Sequence, residues 1–247
     1  MSKFKIFLFV LFFSQILFAG CDHGISPYDK FAAGVSATTG VPRQWGWWRT
    51  RHMAICALAG KVNLKTVFIG DSMTQRWEDQ PYVWNMINTR YLSGNFGFGS
   101  DSTRQVIWRL ENGEFPSSLR PKYVVLLIGS NNTGLYHDPP QMTAEGIHKI
   151  IEIIHRNSPE TKTILLSILP RGDSAYFDYT NREVNRIIKN YHGTFNVTWY
   201  DIYNYFLLPN GQINKSLFQS DLGHLSFNGY RLMADKLIEL FLQLESK

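Results

Sequence analysis

The chain has 247 residues, 44% hydrophobic and 15% aromatic, long enough to bury one α/β core without help from disulfides or metals. Its formal charge of +5 counts Lys3 and Lys5; without them 23 basic residues face 20 acidic ones, a net +3. That balance, with no run of basic residues to track phosphates, argues against a nucleic-acid partner.

The N-terminal stretch "MSKFKIFLFVLFFSQILFAGC" carries two lysines, an apolar run from Ile6 to Phe13, and small residues before Cys21. This is the layout of a secretory signal over residues 1–20. A retained membrane anchor is the alternative reading, but Ser14 and Gln15 break the run short of the roughly 20 residues a span needs. Phe18-Ala19-Gly20-Cys21 resembles the bacterial lipobox, with Phe18 in the usual place of leucine. That resemblance implies a lipid on Cys21, a site in the bacterial cell envelope on the periplasmic side, and in Asp22 a signal for the inner membrane. A lipidated Cys21 leaves only Cys56, which excludes an internal disulfide; an unmodified Cys21 leaves a bridge to Cys56 open.

Residues 21–45, with Gly24, Pro27, Gly34, Gly40 and Pro42, read as a tether or lead-in, and residues 46–247 as the folded domain. Trp45 to Leu58 is apolar enough for a helix under the first strand, and packing there is the expected role of Trp45, Trp47 and Trp48. Strands are predicted at Thr66–Ile69, Leu92–Phe96, Tyr123–Ile128, Thr163–Leu169 and Val197–Ile202, each short, mostly apolar and ended by a turn residue. Helical stretches separate them. The clearest are Thr143–His155, with Ile147, Ile150, Ile151 and Ile154 on one face, and Phe227–Leu244. Five βα units imply a parallel sheet with helices on both sides, a three-layer α/β/α sandwich. In such a sheet, functional groups gather past the carboxyl ends of the strands.

Four strand-end segments then carry the chemistry. Ser72, in Gly70-Asp71-Ser72, is either an N-cap for the next helix or a nucleophile, and the second role needs a base and a group to orient it. The G-x-S-x-G elbow is not matched, because Thr74 stands at the second glycine. The turn "NFGFGSDST", residues 95–103, offers backbone donors; a dinucleotide fingerprint fails at Ser102, and no Walker-type lysine follows. In "VVLLIGSNNTG", Asn131 is either a turn former or a side-chain donor to an oxyanion. In "SDLGHLSFNGY", Asp221 and His224 are three apart just before the last helix, so the carboxylate can hold one ring nitrogen and leave the other as a general base. The remaining histidines, His52, His137, His148, His155 and His192, lack paired metal-ligand spacing.

Together the four segments resemble the blocks of the SGNH (GDSL) hydrolases: Gly70-Asp71-Ser72, Asn95 to Asp101, Gly129-Ser130-Asn131-Asn132 and Asp221 to His224. Within that superfamily, "NFGFGSDSTRQVIWRLENGE", "LLSILPRG" and the C-terminal block are similar to the catalytic subunits of type I platelet-activating-factor acetylhydrolase and their bacterial relatives, from about Trp47 to the C-terminus. The resemblance implies a five-stranded flavodoxin-like sheet, no metal or organic cofactor, and hydrolysis of short-acyl esters through an acyl-enzyme. It assigns Ser72 as nucleophile, His224 as base and Asp221 as its orienter. The oxyanion hole would be built from the amide of Ser72, the side chain of Asn131 and the amide of Ser100. Ser100 departs from the family's glycine, and serine is strained at positive φ. The expected substrate is an acetyl-type ester of a lipid or carbohydrate, reached with membrane attachment through the lipid anchor; a homodimer is left open. Two other readings follow from the same residues: a lysophospholipase or thioesterase of longer acyl preference, and a catalytically impaired binder of glycan or lipid, motivated by Ser100.

Overall fold

The computed structural model describes residues 34–246. The export signal, the lipidation of Cys21 and the first part of the lead-in lie outside the described residues. Cys56 carries a free thiol, which burial pushes up to about 11.

Helix α1, Gly46–Ala59, precedes strand β1, Thr66–Gly70. The short α2, Ser72–Gln75, and α3, Pro81–Tyr91, lead to β2, Ser93–Gly97. Next come α4, Thr103–Arg109, then β3, Tyr123–Leu127, and α5, Ser130–Gly134. Helix α6, Pro140–Asn157, precedes β4, Lys162–Leu166, and α7, Ala175–Ile188, precedes β5, Val197–Tyr200. Helix α8, Phe227–Glu245, ends the fold. No helix among the described residues is long and apolar enough to cross a membrane.

All five strands are parallel in the order β2-β1-β3-β4-β5, the flavodoxin-like arrangement expected of five consecutive βα units. Alternation along the strands divides the core in two. Val67, Ile69, Val124, Leu126 and Leu165 meet α1, α4, α6 and α7 on one side. Phe68, Val125, Leu127, Ile164 and Leu166 meet α3 and α8 on the other. The four isoleucines read as one helix face, Ile147, Ile150, Ile151 and Ile154, are fully buried, each contributing about 1.5–3 kcal/mol by leaving water.

Element edges differ from expectation for local reasons. Leu92 is not the first residue of β2 but the left-handed cap of α3, with φ 38° and its amide on the Asn88 carbonyl at 2.9 Å. Beyond Leu166 the chain leaves the sheet, and Ser167 Oγ accepts the amides of Ile202 and Tyr203 at 2.9 and 2.8 Å. Helix α6 starts three residues early because Pro140, with its missing amide and fixed φ, suits the first turn.

The end of the lead-in is not a loose tether. Ala37 and Arg43 are buried. The carbonyl of Val35 accepts from Arg104 Nε and Nη2 at 2.8 and 2.6 Å, that of Ala37 accepts from Thr103 Oγ1 at 2.9 Å, and the Val41 amide donates to Arg104 O at 3.1 Å. Glycine and proline spacing marks the absence of regular secondary structure there, and says nothing of packing. Of the three tryptophans, Trp48 is fully buried as expected, whereas Trp47 is 44% exposed.

Candidate active site

The register sets the strand ends side by side: Gly70 of β1 pairs with Gly97 of β2 and with Leu127 of β3. The loops after these three strands therefore open onto one edge of the sheet. Gly70 permits this crowding, because a Cβ there would lie 2.2 Å from both Leu127 O and Thr74 Oγ1.

After Gly70, Asp71 and not Ser72 caps α2: Asp71 Oδ1 accepts the Met73 amide at 2.9 Å. Ser72 is the first residue of the helix, and its hydroxyl lies 3.0 Å from His224 Nε2. The N-cap reading of Ser72 is thereby corrected. The cap falls to the carboxylate one residue earlier, and the serine hydroxyl is left for the histidine.

His224 belongs to a turn built around Asp221. Asp221 Oδ1 accepts the amides of Gly223 and His224, each at 2.9 Å, and Oδ2 lies 2.6 Å from His224 Nδ1. Burial pushes the Asp221 carboxyl up, but these three hydrogen bonds and the nearby imidazole outweigh it, and the group sits below its ordinary value. An ionised Asp221 fixes the tautomer with N–H on Nδ1 and leaves Nε2 as an acceptor facing Ser72. The turn is itself clamped. Gln219 N donates to His224 O at 2.7 Å, and Gly172 N donates to Leu222 O at 2.9 Å. Arg76 Nη1 reaches Gln219 Oε1 at 3.0 Å, and Ser226 caps α8 directly behind.

The loop after β2 holds Ser100 at φ 64°, the left-handed backbone in which glycine is free of strain and serine is not. Gly99 N donates to Gln75 Oε1 at 2.6 Å. Asp101 is fully buried; its carboxylate takes Arg109 Nε and Trp48 Nε1, both at 2.8 Å, and Arg43 Nε at 3.4 Å. Arg109 also pairs with buried Glu114, whose other oxygen lies 2.8 Å from His52 Nδ1. Asn131, one residue into α5, donates through Nδ2 to Asp101 O at 2.9 Å. A primary amide has a second N–H, so this bond orients Asn131 without exhausting it.

A small cavity of about 10 Å³ adjoins the site, lined by Asp71, Met73, Ser130, Leu169, Arg171 and Gly223 among others. Its walls are the chain neighbours of Ser72, Asn131 and His224. Asp71 is fully buried there, and desolvation pushes its carboxyl up to about 7. The unfolded chain releases that proton near 3.8. The native state therefore holds the proton more tightly: this contribution to stability is fully present below about pH 3.8 and is lost as pH rises through about 7. Asp71→Asn keeps an oxygen for the Met73 amide and does not titrate. Relative to the wild type its stability should rise between pH 4 and pH 8, by up to about 4 kcal/mol at one RT-scaled increment per unit. Urea midpoints at the two pH values check this, and parallel pH profiles would count against it.

The sequence-predicted Ser72, Asp221 and His224 thus meet in one hydrogen-bonded chain, while Ser100, Asp101 and Asn131 meet in a second. Arg43, Gln75 and Arg76 escaped sequence reasoning. Each acts on a loop distant in sequence, and none belongs to a motif. Among the described residues, no group of three or more His, Cys, Asp or Glu side chains is arranged to hold a metal ion.

Comparison with known proteins agrees with this geometry. The GDSL-like lipase/acylhydrolase family matches residues 68–232. The chain is 32% identical over 200 residues to platelet-activating factor acetylhydrolase IB subunit alpha2 of Rattus norvegicus, covering 80% of this chain and 84% of that subunit. Among solved structures, a GDSL-like lipase from Bacteroides thetaiotaomicron superposes with a TM-score of 0.62 at 20% identity, over 79% of this chain and 97% of that one. An acetyl-xylooligosaccharide esterase from Geobacillus does so with a TM-score of 0.58 at 16% identity, over 71% and 93%; these two likenesses bear on the fold alone. With the sheet order, the clustered strand-end loops and the family match in agreement, the chain belongs to the GDSL-like lipase/acylhydrolase family of ester hydrolases.

Proposed function

We propose that this protein is a serine esterase that removes acetyl or similarly short acyl groups through an acyl-enzyme, with Ser72 as nucleophile, His224 as base and later acid, and Asp221 as its orienter. The observation that carries the reading is the relay Ser72 Oγ to His224 Nε2 at 3.0 Å and His224 Nδ1 to Asp221 Oδ2 at 2.6 Å. Both distances fall within the range proton transfer needs.

Ser72 Oγ attacks the ester carbonyl while its proton passes to His224 Nε2. The negative charge that develops on the carbonyl oxygen meets the amides of Ser72 and Ser100 and the Asn131 side chain. Collapse expels the alcohol, which takes the proton from His224. Water then gives a proton to the same nitrogen and attacks the acyl-enzyme, which releases the carboxylic acid and restores Ser72.

We read the acyl group as short, in preference to the long one of a lysophospholipase. The acetylhydrolase name of the 32% identical relative points the same way. Ser100 keeps the left-handed backbone that a glycine would adopt, which favours a working oxyanion hole over an impaired binder. For location we read residues 1–20 as an export signal and Cys21 as a lipid attachment site in a bacterial envelope, where acetylated lipids and O-acetylated sugars are both candidate substrates.

The test is the purified full chain in detergent, exposed to a fluorophosphonate probe and to p-nitrophenyl acetate, butyrate and octanoate. Labelling at Ser72 and fastest turnover of the acetate are expected. Absence of both labelling and hydrolysis overturns the assignment, and faster turnover of octanoate overturns the short-acyl preference.

A further inference from the structure

Ser100 is a serine where the backbone asks for glycine, and the chain is gripped before and after it. Before it, Gln75 holds the Phe98–Gly99 peptide through the Gly99 amide at 2.6 Å. After it, Arg43 Nη2 donates to the Ser100 carbonyl and holds the Ser100–Asp101 peptide. Arg43 is 3% exposed. Its guanidinium lies 4.2 Å over the Trp45 ring, with Nε 3.4 Å from Asp101 Oδ1. One planar group therefore touches Ser100 and the carboxylate of Asp101, and the carbonyl of Asp101 is the acceptor that orients the Asn131 amide at 2.9 Å.

We propose that Arg43, from the irregular segment before α1, is a positioning residue of the oxyanion hole: it holds Ser100 in the left-handed backbone and, through Asp101, keeps the Ser100 and Asn131 donors aligned. The guanidinium suits this task because it has several N–H donors in a fixed fork and stays charged when buried. A strained backbone persists only where its surroundings over-determine it, and Arg43 and Gln75 supply that restraint from two sides. The preceding segment fastens Arg43 in turn, by the bonds of Val35 and Ala37 to Arg104 and Thr103.

This inference rests on the oxyanion-hole role given to Ser100 and Asn131, and its test separates the two. Arg43→Ala, Ser100→Gly and the double variant are compared in the full chain for p-nitrophenyl acetate hydrolysis and for Tm. Arg43→Ala should lower kcat about tenfold or more while KM stays within about twofold, since donors aimed at the oxyanion act on the transition state. Ser100→Gly adopts the left-handed backbone without restraint, so it should restore most of kcat in the Arg43→Ala background, and raise Tm less there than in the wild type, where the strain is still held. If Arg43→Ala does not fold, Arg43→Lys, which keeps the buried charge but lacks the planar fork, takes its place in the same cycle. Unchanged kcat in the Arg43 variant, or purely additive effects of the two substitutions on kcat and Tm, overturns the inference. If the wild type is inactive, the hydrolytic reading falls, and the Tm cycle still decides whether Arg43 and Ser100 are coupled.

Discussion

Ser72→Ala should lower kcat for p-nitrophenyl acetate by about 10⁴- to 10⁶-fold, the usual loss when the nucleophile of a serine–histidine pair is removed. The Ser72 hydroxyl is bonded to His224 Nε2 at 3.0 Å, and alanine offers nothing for the histidine to deprotonate. The fold should not feel the change. Helix α2 is capped by Asp71, whose Oδ1 takes the Met73 amide, so the hydroxyl has no capping duty, and alanine is a good residue for a first helical turn. Tm within about 2 °C of the wild type, with fluorophosphonate labelling abolished, is the full expected result. Residual turnover above that of water would come from the oxyanion donors. A variant that kept more than about a tenth of wild-type kcat would remove Ser72 from the chemistry.

Asp221→Asn should cost about 10²- to 10⁴-fold in kcat at neutral pH, with little effect on KM. The carboxylate does two things at once. Oδ1 accepts the amides of Gly223 and His224 and shapes the turn, while Oδ2 at 2.6 Å fixes the proton on His224 Nδ1. Asparagine preserves the first function by presenting its oxygen to the two amides. Its NH₂ group then faces Nδ1, which becomes the acceptor, and the ring proton moves to Nε2, the nitrogen that must accept from Ser72. The damage is a wrong tautomer in an intact turn. Because the Asp221 side chain is 47% exposed, water can compete for Nδ1, and the loss should fall short of that for a fully buried orienter. In the wild type, hydrogen bonding keeps Asp221 ionised below the ordinary carboxylate range, so its own protonation should not limit activity above about pH 4. Steady-state kinetics from pH 5 to 9 on both proteins check this. Equal activity across that range would mean that Asp221 does not orient the histidine.

The strand ends were legible because buried parallel strands are short apolar runs closed by turn residues, and a parallel sheet sends the following loops to one edge. Asp221 and His224 were legible because a spacing of three before a helix lets one carboxylate cap the turn and reach the ring. Asn131 and Ser100 gained their roles through resemblance to the SGNH hydrolases, since an asparagine after a strand is equally a turn former. Two features were hidden. That Asp71 and not Ser72 caps α2 depends on a single backbone torsion, which composition does not fix. Arg43 acts across 57 residues on Ser100, and the glycines and prolines around it give the signature of a linker whether or not the segment is nailed down. Arg76, which steadies the histidine turn through Gln219 from elsewhere in the chain, was hidden for the same reason.

Arg43, Asp101, Arg109 and Glu114 together form a sealed group of two positive and two negative charges, each at most 3% exposed. Its net charge is zero, so any one neutral replacement strands a charge away from water, at a cost of about 3–5 kcal/mol. These positions are therefore locked against drift one at a time. A route to a different solution runs through paired exchanges, and the separate effects of such pairs should not sum. For anyone evolving this enzyme in the laboratory, single-site libraries at these four codons will return little except the parent, and combinatorial ones are the place to look.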